Sequence, residues 1–260
     1  MDKAKTTNFD ATIHRVDYIE EYRSTPIDHR SLLNDSGRET ESLSGVWHFS
    51  IDPYNTFLRG RWWAEERTDG HGNPRPADYD WQRWQAVRVP SCWNMTSPEF
   101  LNYEGSAIYT RTFTYRARAA GASALPERLF LKVGAANYET FVFLNKRCLG
   151  FHRGGSTPFF LELHDLAEGE NRLTLVVNNR RESDQVPTDN TDWFNYGGLH
   201  RDVDLIRLPS TFIKRWSLAL VPGSKFRRIR ASVEIEGPDQ DVSLRIPGLA
   251  IDQTIKVKGG

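Results

Sequence analysis

From Leu43 onward, apolar residues recur in short runs, some alternating with polar positions and some continuous, separated by Gly, Pro, Asn and Asp. The clearest runs cover 46–51, 108–115, 128–133, 140–144, 159–163, 173–177 and 203–208. None has the period of a helix, so the pattern predicts strands of an all-β domain rather than βαβ units. The segment from Phe141 to Gly150 reads as a hairpin with Asn145-Lys146-Arg147 at its tip, leading into Gly154-Gly155.

Leu208-Pro209 closes this set, and a second one follows at 216–221, 229–235, 242–246 and 254–257. The chain thus divides into an N-terminal arm (1–42), a large β domain (43–209) and a smaller β segment (210–260). The arm is charged and irregular, and is expected to wrap over the core. Only 51 residues follow Pro209, whereas an immunoglobulin-type sandwich needs about 100 residues and seven strands. Four strands are expected to leave an apolar face or edge uncovered. Between Phe57 and Tyr79 lies a long insertion with Trp62-Trp63 and the turn-rich Asp69-Gly70-His71-Gly72-Asn73-Pro74. Loops of this length in a compact domain are usually functional or mobile.

Composition narrows the function classes. Lys+Arg and Asp+Glu are 34 each, for a formal net charge of +0, which supplies no electrostatic reason to expect nucleic acid or an anionic membrane as partner. No run reaches the length of a membrane span, and the first ten residues carry no apolar signal segment. A cytoplasmic location is the expectation. Aromatics make up 12% of the residues, which suits both a β core and a surface for pyranose rings. Cys92 and Cys148 are far apart, and no second Cys/His pair completes a ligand set with Cys148 and His152. Reduced, buried thiols are expected, with no metal and no cofactor.

The candidate chemistry lies in Asp192-Trp193-Phe194-Asn195-Tyr196-Gly197-Gly198-Leu199-His200-Arg201-Asp202-Val203. An acid, three large rings, an amide and paired glycines occur together ahead of an apolar run, groups that could fix a sugar ring by hydrogen bonding and stacking. This loop resembles the one that family 2 glycoside hydrolases carry near the end of their sugar-binding domain. Four further segments resemble the family in the same order. They are Leu43-Ser44-Gly45-Val46-Trp47-His48-Phe49; Val89-Pro90-Ser91-Cys92-Trp93-Asn94; Asn102-Tyr103-Glu104-Gly105 with Ile108-Tyr109-Thr110-Arg111; and Gly154-Gly155-Ser156-Thr157-Pro158-Phe159.

The resemblance implies a galactose-binding-like jelly-roll β-sandwich over 43–209, followed by a partial immunoglobulin-like sandwich. It also implies a non-catalytic portion of a retaining β-glycosidase, similar to β-glucuronidases or β-galactosidases. In that family the two catalytic glutamates stand on a separate TIM barrel, so no residue here is assigned a catalytic role. Asp192, Trp193, Asn195 and Tyr196 become the substrate-binding candidates, with Asp192 accepting hydrogen bonds from sugar hydroxyls. Each has a plainer alternative: a turn cap for Asp192, packing for Trp193 and Phe194, an ion pair for Arg201, and a tight turn for Gly197-Gly198.

Glu99, Glu104 and Glu139 are expected to be solvated surface carboxylates. Some β-galactosidases carry a sugar-binding asparagine where Cys92 stands, which leaves Asn94 or Asn102-Tyr103 as substitutes or as turn formers. The implied partners are a β-glycoside, a catalytic barrel and further copies of the chain. A stand-alone carbohydrate-binding module and one half of a split glycosidase are the alternatives.

Overall fold

The computed structural model describes residues 20–64, 71, 80–118 and 127–260. Two antiparallel sheets face each other. One has six strands in the spatial order Gln85–Val89, Gly45–Asp52, Ser106–Tyr115, Gly169–Asn178, Glu139–Leu144, Arg147–Arg153. The other has four, in the order Glu39–Ser42, Val203–Leu208, Arg128–Val133, Phe159–Glu162. The first strand of that second sheet lies ahead of Leu43, so the last four residues assigned to the arm pair with Val203–Leu208. The sequence pattern misses it because all four, Glu-Thr-Glu-Ser, are exposed.

Alternation explains the inner layer. In Arg128–Val133 the buried residues Leu129, Leu131 and Val133 point inward, to meet Trp47, Phe49, Tyr109, Leu173, Leu175 and Val177 from the facing sheet. Phe130, on the opposite face of that strand, packs edge-on against Phe212 at 5.7 Å. Glu139–Leu144 is buried at every position, because both of its faces are covered. Val142 and Leu144 face the sandwich core, while Phe141 and Phe143 belong to an outer cluster with Tyr22, Phe57, Leu58 and Trp63.

The opening of the long insertion builds that outer cover. Thr56–Arg59 forms one helical turn, and Trp62–Ala64 a 3-10 turn. Trp63 stacks on Phe143 at 4.7 Å and meets Tyr22 edge-on at 5.1 Å. Asp52 fixes the helical turn by accepting from the Thr56 and Phe57 amides at 2.7 and 2.9 Å. The turn-rich part of the insertion lies, His71 apart, outside the described residues.

The described part of the arm clips onto the edge strand Arg147–Arg153. Ile27 N–H donates to the Phe151 carbonyl (2.6 Å), and Phe151 N–H donates to the Thr25 carbonyl (3.0 Å). Glu139 departs from expectation. It is 2% exposed and accepts from both Arg23, on the arm, and Arg153, since a carboxylate this deep needs charged partners.

His152 completes the clip. Its Nδ1 lies 2.9 Å from the Ile27 carbonyl, and its ring stacks on Phe159 at 4.3 Å. Because a carbonyl only accepts, Nδ1 carries the proton, which leaves Nε2 as a buried nitrogen with no partner. Burial holds the His152 pKa below its ordinary 6.5. The unfolded chain therefore takes up this proton first, so the stabilisation is complete above pH 6.5 and is lost as the pH falls below it. Thermal melts between pH 7.5 and 5 should show a falling midpoint, with a shallower slope in His152→Gln.

After Pro209 the chain forms two hairpins, Phe212–Leu220 with Ile229–Glu236 and Gln240–Ile246 with Ile251–Val257. Phe212 and Ile235 are buried, while Trp216, Leu218, Leu220 and Ile255 are exposed. Among the described residues, no helix is long and apolar enough to cross a membrane.

Candidate functional site

The site is built on a third, small sheet. Gly198–Leu199 pairs with Ser91–Cys92 on one side and Ala136–Asn137 on the other. This draws the Asp192 loop against the Trp93 segment. Trp93 is fully buried, and its backbone N–H donates to the Gly197 carbonyl at 3.0 Å. A Cβ at Gly197 would fall within the Trp93 indole, and one at Gly198, where φ is +137°, would meet the Ser91 carbonyl at 2.5 Å. Both positions therefore require glycine, the second also for its backbone conformation.

Buried amides tie the remaining backbone together. Asn94 accepts from the Gly197 N–H at 2.8 Å and donates to the carbonyls of Phe100, Leu101 and Tyr103. Asn179 donates to the Asn195 carbonyl at 2.6 Å, and Asn195 donates back to the Asn179 carbonyl. Asn137 donates to the Asn195 side-chain oxygen (2.9 Å) and to the Tyr196 carbonyl (2.7 Å). Asn94 is thus a turn former, as the plainer reading has it. Asn195, a candidate for the sugar, is 6% exposed and spends both polar atoms of its side chain inside the protein. Its amide supports the loop, because buried backbone groups in a segment without regular structure need partners that side chains can supply.

In front of this framework opens a cleft of about 570 Å³ lined by Asn94, Asn102, Glu104, Arg181, Asp192, Trp193 and neighbours. Asp192, Trp193 and Asn195 meet there. Tyr196 does not line it; its ring stacks on Phe194 at 5.7 Å, nearly parallel. Trp193 is 70% exposed, an unusual position for a large ring. The Asp192 carboxylate is exposed, and no hydrogen bond or ion pair holds it among the described residues, so it does not cap the turn.

Arg181 is a site residue that the sequence pattern does not single out. Its guanidinium pairs with Glu104 at 2.9 Å and donates to the carbonyls of Thr191 and Trp193. The available signal is the Arg180-Arg181 pair one residue beyond the apolar strand Gly169–Asn178. Arg201 is similarly structural, donating to the Ser156 carbonyl at 2.9 Å rather than pairing with an acid.

Other chemistries find little support in these residues. Cys92 and Cys148 are half-buried, and burial pushes the Cys92 thiol up, away from thiolate. Among the described residues no three His, Cys, Asp or Glu gather as metal ligands. What the cleft offers is a free carboxylate beside exposed aromatic rings.

Residues 40–209 match the family described as "Glycosyl hydrolases family 2, sugar binding domain". The chain belongs to glycoside hydrolase family 2. A β-glucuronidase of Paenibacillus borealis is 27% identical over 231 residues, which cover 80% of this chain and 36% of that protein. The fold of this family 2 chain is shared with a β-glucuronidase from an uncultured Clostridium sp. at a TM-score of 0.63 and 24% identity, covering 88% of this chain and 41% of that one. It is likewise shared with a Bifidobacterium dentium β-glucuronidase complexed with coumarin-3-O-glucuronide, at a TM-score of 0.60 and 23% identity, covering 87% and 43%. The chain thus spans about a third of the length of the curated relatives it matches.

Proposed function

We propose that this family 2 domain serves a retaining β-glycosidase of β-glucuronidase type, presenting the Asp192 loop to a sugar bound on a catalytic barrel. The observation that carries the reading is the unpartnered Asp192 carboxylate on a loop whose surrounding backbone is fixed by buried amides and glycines. A charged acceptor held in place is suited to sugar hydroxyls, and orientation of the ring is its contribution to rate. Retaining hydrolysis requires two carboxyls, ~5 Å apart, that are free to act as acid/base and nucleophile. Glu139 is enclosed by arginines and Glu104 is paired with Arg181. The exposed rings of Trp193 and Phe194 would then pack on the barrel or stack on the sugar. The relatives are named as β-glucuronidases, which makes a glucuronide the first substrate to try.

The purified 260-residue chain is expected to leave 4-nitrophenyl β-D-glucuronide and β-D-galactoside uncleaved, and turnover by the chain alone would overturn the assignment. Calorimetric titration with the same glycosides separates two roles. Silence fits a domain that completes a site on a barrel, whereas binding at millimolar or lower concentration would favour a stand-alone carbohydrate-binding module.

A further inference from the structure

We propose that Arg181 is a positioning residue that sets the backbone conformation at Asp192, with Glu104 holding the guanidinium in place. Its bearing on function rests on the reading of Asp192 as the sugar contact, but the geometry is independent of any sugar. Thr191 and Trp193 bracket Asp192, and their carbonyls both receive hydrogen bonds from this one guanidinium, Nη1 to Thr191 and Nη2 to Trp193, the latter at 2.6 Å. Along the adjoining edge, which shares Nη2, Nε lies 3.0 and 3.1 Å from the two Glu104 carboxylate oxygens, and Nη2 lies 2.9 Å from the nearer one. Arg181 thus converts two chain-distant segments into one unit: the turn at Glu104, and the loop around Asp192.

Three features favour positioning over direct recognition. The guanidinium fork is filled by protein acceptors, and its side chain is only 19% exposed. Arg181 makes no ion pair with Asp192, so the acid keeps its full acceptor capacity. The bonds go to backbone carbonyls on both sides of one residue, which constrains main-chain direction and hence where the side chain emerges. A planar cation with donors at fixed angles can serve divergent acceptors, which a lysine ammonium on a flexible stem cannot do in the same geometry.

The test is amide hydrogen exchange on the full chain, without sugar. Arg181→Ala should speed exchange by about tenfold or more relative to the wild type at the hydrogen-bonded amides that flank the loop, Thr191 (to the Thr188 carbonyl, 3.1 Å) and Gly197 (to the Asn94 side-chain oxygen, 2.8 Å), with strand Gly169–Asn178 unchanged. Low-millimolar guanidinium ion should restore part of the protection where ammonium at the same concentration does not. Glu104→Gln should accelerate the same amides less, and Arg181→Lys should fall between wild type and Arg181→Ala. Unchanged exchange at Thr191 and Gly197 in Arg181→Ala, or equal acceleration throughout the core, would overturn the proposal. Should Arg181→Ala fail to fold, exchange at the same amides in Arg181→Lys and Glu104→Gln decides the question: acceleration there supports the role, and none overturns it. Asp192→Asn serves as the separating control: it should leave loop exchange unchanged, so failure of the sugar-contact reading would show only in activity, and failure of the Arg181 role only in exchange.

Discussion

Replacing Gly197 with alanine is expected to destabilise the domain by about 3 kcal/mol or more, at the upper end of what overpacking a core produces. The added methyl would enter the Trp93 indole, a ring that is fully buried and tied to Gly197 through the backbone. Trp93 cannot yield outward. Its neighbours Phe49, Tyr103 and Tyr109 lie 6.2 to 6.5 Å away between ring centres, and they belong to the same packed interior. Relief therefore requires shifting Gly198–Leu199 off its two partner strands, which would dismantle the small sheet and release the Asp192 loop. In a domain of this size, the loss corresponds to a fall of about 6–12 °C in Tm. Gly248→Ala is the internal control, because a Cβ there meets nothing within 4 Å; it should stay within about 0.5 kcal/mol of the wild type. A Gly197→Ala midpoint within about 2 °C of the wild type, equivalent to roughly one kcal/mol or less, would show that the Trp93 contact is not what fixes the loop.

The second large effect is on activity. In an assembly with the catalytic barrel, Asp192→Ala should lower kcat/KM by about 10- to 150-fold. That is the equivalent of the roughly 1.5–3 kcal/mol carried by a hydrogen bond to a charged group. Stability should hardly change, because the carboxylate is exposed and has no partner among the described residues. Asp192→Asn should recover part of the loss, since an amide oxygen still accepts but without the charge. The informative readout is the separation of the two quantities: steady-state rates on a glucuronide against the thermal midpoint of the same preparation. Less than about a threefold change in kcat/KM with a normal midpoint would remove Asp192 from the substrate and leave the loop a packing role.

Strand positions are readable because burial imposes a period. Arg128–Val133 shows the inward-outward alternation directly, and Glu139–Leu144 reads as a continuous apolar run because it is covered on both faces. Glu39–Ser42 is not readable, since an exposed edge strand needs no apolar residue and is held by backbone hydrogen bonds to Val203–Leu208. Glu139 reads as a surface carboxylate for a related reason. Its neighbours in sequence do not show that Arg23, 116 residues away, arrives on the arm to neutralise it.

At the cleft the division runs by residue. Asp192, Trp193 and the glycine pair are conspicuous in the sequence, as polar and aromatic groups crowded into a glycine-bounded loop. Asn195 is equally conspicuous there, but the fold turns its amide inward onto Asn179, and Tyr196 onto Phe194. Arg181 is invisible as a site residue, because an arginine after a strand is ordinarily a solvated surface charge.

The sequence alone determined that the chain is all-β and where most of its longer strands run, and it marked the Asp192 loop as the candidate site. These follow from local periodicity and residue type, which each segment carries within itself. The tertiary structure alone decided which polar groups of that loop remain free. A carboxylate or amide is available to a ligand only if no distant segment supplies its partner, and the partners here, Glu104 for Arg181 and Asn137 and Asn179 for Asn195, come from parts of the chain that only folding brings together.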